Sequence, residues 1–169
     1  MAAPLFVVNT TRHDPYRTFK FQIIIDGKPV AGLKKMGALK KKTEVIKWRT
    51  AGDPSSERLM PGGTSWEPVA LEQGLTHDPV FENWANLVNN IQGDKAMSLK
   101  NFRKDLVINV LNLQGQVAIS YKLFRAWISE YQAIPDFDAT TMNAVGIQTI
   151  TLQHEGWERD ASVPEPTET

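Results

Sequence analysis

Few residues of this sequence have the types and spacing that catalytic or metal chemistry requires. The three histidines, His13, His77 and His154, lack the spacing of a metal site, and the chain contains no cysteine. His77 and Asp78 adjoin like a catalytic base and its partner, but a helix-capping role explains Asp78. We interpret the histidines as structural or solvent-exposed. The sequence therefore predicts neither a metal nor a cofactor.

The glycine pair Gly62-Gly63, within PGGTS, has the composition of a phosphate-binding loop. It lacks the lysine and the glycine spacing of a P-loop, and no strand–loop–helix pattern surrounds it. We interpret the pair as a turn. With no nucleophile in a recognisable catalytic arrangement either, we predict that the chain is not an enzyme.

A basic stretch covers residues 34–49, where Lys40, Lys41 and Lys42 are adjacent. Three adjacent lysines are typical of a solvated face, and no aromatic RNA-binding signature accompanies them, so nucleic acid is the less favoured partner. The stretch has little apolar surface to pack on its own core. We expect it to reach another subunit and to place its lysines near acidic residues there.

Aromatic and arginine residues beside this stretch extend the candidate contact set. Trp48 and Arg49 end the stretch, and Trp66 follows a connection, residues 50–64, that is rich in Gly, Pro, Ser and Asp. Long connections without regular structure are usually functional or disordered. Aromatic residues and arginine are enriched in protein interfaces. The candidate subunit contacts are Lys40, Lys41, Lys42, Trp48, Arg49, Arg58 and Trp66.

Composition places the chain among ordinary globular domains. It has 169 residues, of which 41% are hydrophobic and 22% charged, so a single domain can bury a core without metal or disulfides. The formal net charge is zero, which gives no general attraction to nucleic acid or membranes. No stretch approaches a membrane span, and no basic residue precedes the apolar run at residues 5–8, so we expect no signal peptide.

Alternating apolar residues indicate several strands. Residues 16–25 alternate cleanly, and Asp26-Gly27 supplies a hairpin turn into a strand starting near Val30. Trp127 is expected in the core, and Pro68 indicates an edge or bulge position. The further strands are predicted at residues 44–49, 66–73, 105–112, 117–127 and 145–154.

One amphipathic helix is predicted at residues 79–92. Asp78 is the expected N-cap and Pro79 the first helical residue. Apolar residues, including Trp84 and Ile91, recur at three- and four-residue spacing until Gly93 ends the run. Trp84 is expected in the core.

About seven strands and one helix predict a mainly β (α+β) fold. The expected subunit is a small β-barrel or sandwich with one flanking α-helix. The domain spans residues 16–160, preceded by an N-terminal arm at 1–15 and followed by a flexible, acidic C-terminal tail at 161–169.

Four blocks, in this order, resemble the tail tube protein family of contractile-tailed phages and of phage-tail-like contractile injection systems. The resemblance covers about residues 14–160, and the basic stretch and the connection at 93–104 depart from it. The blocks are DPYRTFKFQIIIDGKPVAGLKKMGAL, VIKWRTAG with LMPGGTSWEPVALEQGLT, the helix containing FENW, and TLQHEGWERD.

This resemblance implies a structural inner-tube protein, similar in fold to the type VI secretion tube protein. Such subunits form stacked hexameric rings, and the rings form a rigid conduit for cargo or DNA. The implied partners are further copies of the chain, a surrounding sheath protein, and baseplate and tail-terminator proteins. The protein would be made in a bacterial cytoplasm and assembled into a phage tail or injection particle.

The polar positions of the long strands, among them Gln73 and Gln148, predict a lumen of near-neutral polarity. Two alternatives stay open. One is a tube initiator or baseplate adaptor ring of the same family. The other, from a different class, is a small β-barrel ligand carrier or enzyme, which would need a polar constellation at a barrel mouth.

Overall fold

The protein is mainly β. A computed structural model describes residues 5–169, so the first four residues of the predicted arm lie outside the described residues. Within 5–169 there are ten strands, one α-helix and one 3-10 helix. They are β1 (Phe21–Ile25), β2 (Lys28–Pro29), β3 (Leu33–Met36), β4 (Lys41–Trp48), β5 (Arg58–Trp66), β6 (Val69–Gly74), α1 (Val80–Val88), the 3-10 helix (Asp94–Ala96), β7 (Lys104–Leu111), β8 (Val117–Gln132), β9 (Ile147–Gln153) and β10 (Trp157–Arg159).

Eight of these strands form one antiparallel sheet in the order β2-β1-β7-β8-β9-β6-β3, with β10 paired to β8. The predicted mainly β class with one flanking helix is confirmed. The end strands β2 and β3 are not hydrogen-bonded to each other, so the predicted barrel is not closed in the isolated subunit. The remaining strands, β4 and β5, form a separate hairpin.

The long strand β8 joins the two halves of the sheet. Its first part pairs with β7 and β10, and its last part pairs with β9. Between the two parts, Arg125 has a positive φ of 50°, which is rare for a residue with a side chain. The Arg125 amide donates to Asp105 Oδ1 at 2.9 Å. This irregularity turns the sheet around the core.

The core lies between the two halves of the sheet and α1. The helix contributes Phe81 and Trp84, each 1% exposed. Trp127, which we expected in the core, is only partly buried, because it lies between the buried Ala126 and Ile128 and therefore faces outward. The sheet contributes Ile23, Ile25, Val69, Leu71, Leu106, Ile108, Leu123, Ile128, Ile150 and Leu152.

The first hairpin follows the prediction in its turn but not in its strands. Asp26 and Gly27 have φ angles of 51° and 76°, which confirms the turn. The first strand begins at Phe21 instead of residue 16, and Phe19 is 60% exposed. The return strand is only Lys28–Pro29.

Two glutamines occupy the interior of the sheet. Gln73 on β6 and Gln148 on β9 are directly opposite each other, and they are 1% and 6% exposed. The side chain of Gln73 donates to the Ala31 carbonyl at 2.7 Å. Neither residue therefore faces a lumen, contrary to the prediction, because both alternate in phase with the buried apolar residues of their strands.

The terminal segments lie against each other. Residues 5–20 contain no strand or helix. The Glu165 carboxylate accepts hydrogen bonds from the amides of Val7 and Val8 at 2.8 and 2.9 Å, and from Asn9. The Val8 amide bond is the largest of the contacts that hold the pKa of Glu165 below its usual range. The flexibility of the tail at 161–169 stays a prediction.

The C-terminal end of α1 comes earlier than predicted. The helix ends at Val88, and Asn89 is already extended, with φ −151° and ψ 129°. The Asn90 side chain accepts the Gln92 amide at 3.0 Å, a local bond that competes with helical hydrogen bonding. Ile91, expected on the apolar face, is therefore fully exposed.

The N-terminal end of α1 starts one residue later than predicted. Pro79 occupies the N-cap position in place of Asp78, because its carbonyl accepts the Asn83 amide at 2.8 Å. Pro79 has no side-chain acceptor, and the Asp78 Oδ1 atom instead accepts the Val80 amide at 3.2 Å. Asp78 therefore still provides a hydrogen-bond acceptor for a free backbone amide in the first turn of α1.

Replacing Trp84 tests the assignment of α1 to the core. Trp84→Ala removes a buried ring and its 2.7 Å hydrogen bond to the Phe102 carbonyl. We expect the free energy of unfolding to fall by about 3–5 kcal/mol in urea denaturation. The matched control is Trp48→Ala, since Trp48 is 47% exposed. An equal decrease in the free energy of unfolding for Trp84→Ala and Trp48→Ala would contradict the packing of α1 in the core.

Replacing Asp78 tests its role at the first turn of α1. We expect Asp78→Ala to lower the free energy of unfolding by about 1 kcal/mol, because the Val80 amide loses its acceptor. Asp78→Asn keeps an acceptor oxygen and should lose less. Denaturation of the three proteins side by side is the measurement, and an unchanged Asp78→Ala variant would refute the role.

Candidate assembly interface

The β4–β5 hairpin stands apart from the large sheet. Its two strands pair with each other and with no strand of that sheet. We predicted an irregular connection at 50–64, but β5 begins at Arg58, so the connection is only residues 49–57. Eight-residue strands extend about 26 Å at about 3.3 Å per residue. The hairpin is therefore a long projection with little of its own domain around it.

Gly62 and Gly63 lie inside β5 and do not form the predicted turn. The register shifts here, so that β5 carries an extra residue opposite β4. A Cβ at Gly62 would lie 3.1 Å from Cγ1 of Ile46, so the absent side chain leaves room for the isoleucine. Pro61 is tolerated because each strand of a two-stranded sheet has one free edge.

The base of the hairpin is anchored to the subunit. The ring of Trp66 packs edge-on against Trp157, with centroids 5.6 Å apart, and the Lys41 ammonium lies 5.3 Å from the Trp66 ring. Lys40 forms an ion pair with Glu67 at 3.5 Å. Three candidate contact residues, Lys40, Lys41 and Trp66, are thus engaged within their own chain.

The distal half of the hairpin exposes large apolar side chains on both of its faces. The opposed pair Ile46 and Met60 shares one face, and Val45 lies on the other. Exposure is 62% for Val45 and 45% for Ile46, so neither face is covered. We call these residues the apolar tip, which comprises Val45, Ile46, Trp48, Leu59 and Met60.

The loop that closes the hairpin is held by local hydrogen bonds to Asp53. Its carboxylate accepts the Thr50 hydroxyl at 2.7 Å and the Thr50 amide at 2.8 Å. The Thr50 hydroxyl, then its amide, then Arg58 hold the pKa of Asp53 below its usual value. Arg58 lies 3.3 Å from Asp53, and Arg49 donates to the Asp53 carbonyl at 3.4 Å.

The structure therefore divides the seven predicted contact residues into two groups. Trp48, Arg49 and Arg58 lie at the distal end, and the other four lie at or near the base. Lys42 has no ion-pair partner among residues 5–169. Sequence reasoning missed the apolar tip, since it assigned Leu59 and Met60 to a loop. The available signal was the pair of apolar runs, VIKW and RLM, on either side of a turn-rich segment.

Residues 5–169 form neither a metal-binding cluster nor a membrane-spanning helix. Among residues 5–169, no group of three or more His, Asp or Glu side chains could hold a metal ion. His154 Nε2 lies 2.8 Å from the Glu67 carbonyl, and the Gly156 amide donates to its Nδ1 at 3.3 Å, so both ring nitrogens have partners within the chain. None of the helices in this range is long and apolar enough to cross a membrane.

Solved structures of similar fold include chains of the anti-feeding prophage and of an extracellular contractile injection system. A chain of the anti-feeding prophage cap, the tube-terminating cap, has a TM-score of 0.73 at 22% identity, covering 88% of this chain and 93% of that one. A chain of the PVC sheath–tube complex in the extended state has a TM-score of 0.71 at 20% identity, covering 87% and 92%. Hcp1 from Flavobacterium johnsoniae has a TM-score of 0.51 at 15% identity, covering 86% and 98%.

The family assignment rests on the sequence itself. No curated protein matches the chain. Residues 17–158 match the family described as T4-like virus tail tube protein gp19, which is structural, so the prediction that the chain is not an enzyme is confirmed. The order of motifs that resembled tail tube proteins reflects real kinship: this chain belongs to the T4-like virus tail tube protein family.

Proposed function

We propose that this protein is the inner-tube subunit of a contractile injection particle, forming hexameric rings that stack into a rigid hollow tube. The observation that carries the proposal is the apolar tip, which is exposed on both faces of a hairpin that its own sheet does not cover. The proposed partners are further copies of the chain, a surrounding sheath protein, and baseplate and terminator proteins. Related folds in sheath–tube and terminator structures support this choice.

The energetics of the hairpin favour burial in an assembly. An isolated two-stranded hairpin is marginally stable in water. Burying apolar surface contributes about 25 cal/mol per Å² removed from water. A neighbouring chain that covered the apolar tip would therefore stabilise both the contact and the hairpin. Large exposed apolar patches mark interaction sites in soluble proteins.

The open sheet favours a ring. Its two end strands, β2 and β3, are different, so one copy can join its β2 side to the β3 side of the next. Such head-to-tail contacts close into a ring when the rotation between copies is right. Six copies are proposed because the family resemblance implies six. A chain of similar fold, with a TM-score of 0.70 at 18% identity, also occurs in the 6-fold symmetrised baseplate of the anti-feeding prophage.

The predicted contact residues take different roles in this proposal. Trp48, Arg49 and Arg58 would touch the neighbouring copy, because they lie at the distal end of the hairpin. Lys42, exposed and without an ion-pair partner within residues 5–169, would face it as well. Lys40, Lys41 and Trp66 would hold the base of the hairpin in position for that contact.

The outward face of the β6–β9 region is a candidate lining for the conduit. Thr149, Thr151 and Gln153 lie on this face of β9, and Glu72 lies on it in β6. Lys35 of β3 lies opposite Glu72 and pairs with it at 4.0 Å, so the charge of this face is close to neutral. A near-neutral lining does not bind a polyanion strongly, so protein or DNA cargo would slide past. Assembly into an extracellular particle is favoured over a phage tail, because the PVC relative belongs to an extracellular contractile injection system. We further propose synthesis in a bacterial cytoplasm.

A ring at the end of the tube is the second candidate. It is favoured by the similarity, at a TM-score of 0.73, to a chain of the tube-terminating cap. An initiator or adaptor ring at the baseplate belongs to the same alternative. An end ring would stack on one side only, so it would not polymerise alone.

Electron microscopy and light scattering of the purified protein test the proposal. We expect a mass about six times that of the monomer in light scattering, with rings and, at high concentration, tubes in negative stain. Single rings that never lengthen would favour the end-ring candidate. A strictly monomeric species across a wide concentration range would refute the ring.

Substitutions in the apolar tip separate assembly from folding. Ile46→Ser with Met60→Ser should leave the free energy of unfolding of the subunit within about 0.5 kcal/mol, because both side chains are exposed. Tube formation, measured by sedimentation, should be lost. The control is Leu113→Ser, since Leu113 is also 56% exposed but lies outside the hairpin. Tubes of normal length from the double variant would count against the hairpin contact.

A further inference from the structure

A second exposed apolar surface lies on the connection between β8 and β9. Residues 133–146 contain no helix or strand, yet they expose large side chains: Phe137 is 72% and Met142 92% exposed. Leu75, 45% exposed, adjoins them, because its amide donates to the Gly146 carbonyl at 3.0 Å. We call this the end surface, which comprises Leu75, Ile134, Phe137, Met142 and Val145.

The end surface and the hairpin lie at opposite ends of the same strands. Strand β6 starts at Val69, three residues after the hairpin ends at Trp66. It finishes at Gly74, which pairs with Ile147, the residue that follows the end-surface connection. The end surface and the base of the hairpin are therefore separated by the full length of β6.

Opposite charges surround the two surfaces. Residues 40–66 hold six Lys and Arg against three Asp and Glu, a net charge of +3. Residues 75–82 and 133–146 hold four Asp and Glu and no Lys or Arg, a net charge of −4. Complementary potentials steer and orient association, whereas like charges across an interface oppose it. Each surface therefore matches the other and repels its own kind.

We propose that the end surface of one copy receives the apolar tip of the hairpin from another copy. This rests on the proposed function, and it names the surface that the hairpin contacts. The occupant is a second copy because one chain carries both complementary surfaces. Because the two surfaces are different, the contact is heterologous, and it generates an open stack when the rotation between copies does not close a ring.

Reciprocal charge reversal tests the pairing. The hairpin variant carries Lys42→Glu and Arg49→Glu, which changes the net charge of residues 40–66 from +3 to −1. The end variant carries Glu82→Lys, Asp136→Lys and Asn143→Lys, which changes the net charge of residues 75–82 and 133–146 from −4 to +1. None of the four charged side chains replaced here has an ion-pair partner among residues 5–169. For either variant alone, we expect the sedimentable fraction of tubes to fall about tenfold, because like charges across the contact oppose association. The matched control is Glu158→Lys on β10, outside both surfaces.

Mixing the two variants gives the deciding result. The acidic hairpin of one matches the basic end surface of the other, and the unchanged surfaces also match, so preformed rings of the two should stack alternately. Stacking restored in the mixture is the expected result, and a mixture as poor as its components would overturn the pairing. Wild-type protein that forms no rings would instead refute the proposed function.

Disulfide trapping keeps the inference testable if a charge variant fails to fold. The chain has no cysteine, so Met60→Cys with Phe137→Cys introduces one thiol on each surface. Oxidation of assembled tubes should give a ladder of linked chains on a denaturing gel. Met60→Cys with Glu158→Cys should give none. Absence of the ladder in tubes of the first variant would overturn the proposal.

Discussion

The bend of β8 at Arg125 is the constraint on which the rest of the structure depends. A positive φ at a residue with a side chain costs about 1 kcal/mol or more, and here the surroundings hold it. The Asp105 carboxylate accepts the Arg125 amide, and the Arg125 guanidinium pairs with Glu155 at 2.6 Å. Because β8 turns at this point, its two parts pair with different strands, and one strand supports both halves of the sheet.

The bend of β8 also determines where the β4–β5 hairpin and the β8–β9 connection leave the sheet. Only the second part of β8 pairs with β9, and β9 in turn pairs with β6. The hairpin leaves from one end of β6, and the connection after β8 returns at the other. A straight β8 would leave β9 and β6 unable to fold back over Leu106 and Ile108 of the core. The separation of the apolar tip from the end surface is thus a consequence of sheet topology.

Local signals in the sequence predicted some elements correctly. The Asp26-Gly27 turn and the presence of α1 depend on neighbouring residues, which a single sequence displays. Strand β5 was missed because Pro61, Gly62 and Gly63 read locally as a turn. Pairing with β4 across the hairpin overrides that local preference. The full length of β8 was missed for a similar reason, since no local pattern marks the change of partner at Arg125.

The segment that we assign to subunit contacts folds as the β4–β5 hairpin, and its role in contacts stays a prediction. The sequence located a segment with little reason to pack on its own core, and the structure shows the β4–β5 hairpin there. We had assigned the contact mainly to lysines and tryptophans. Of these, Trp66 and Lys41 contact each other at the base of the hairpin, and Trp48 is exposed at its distal end. Val45 and Leu59, which were not assigned to the contact, are more exposed than Trp48. Exposure depends on which strands cover a face, and that is decided by distant parts of the chain.

The zero net charge of the protein conceals a separation of charge. The 19 basic and 19 acidic residues are not evenly mixed: residues 40–66 have a net charge of +3, whereas residues 75–82 and 133–146 hold four Asp and Glu and no Lys or Arg. A chain with exposed apolar residues at both ends would aggregate in many orientations if those ends were uncharged. With opposite charges around the two surfaces, contacts between like ends are repelled and contacts between unlike ends are attracted. The apolar residues can then supply affinity, while the charges restrict assembly to one orientation.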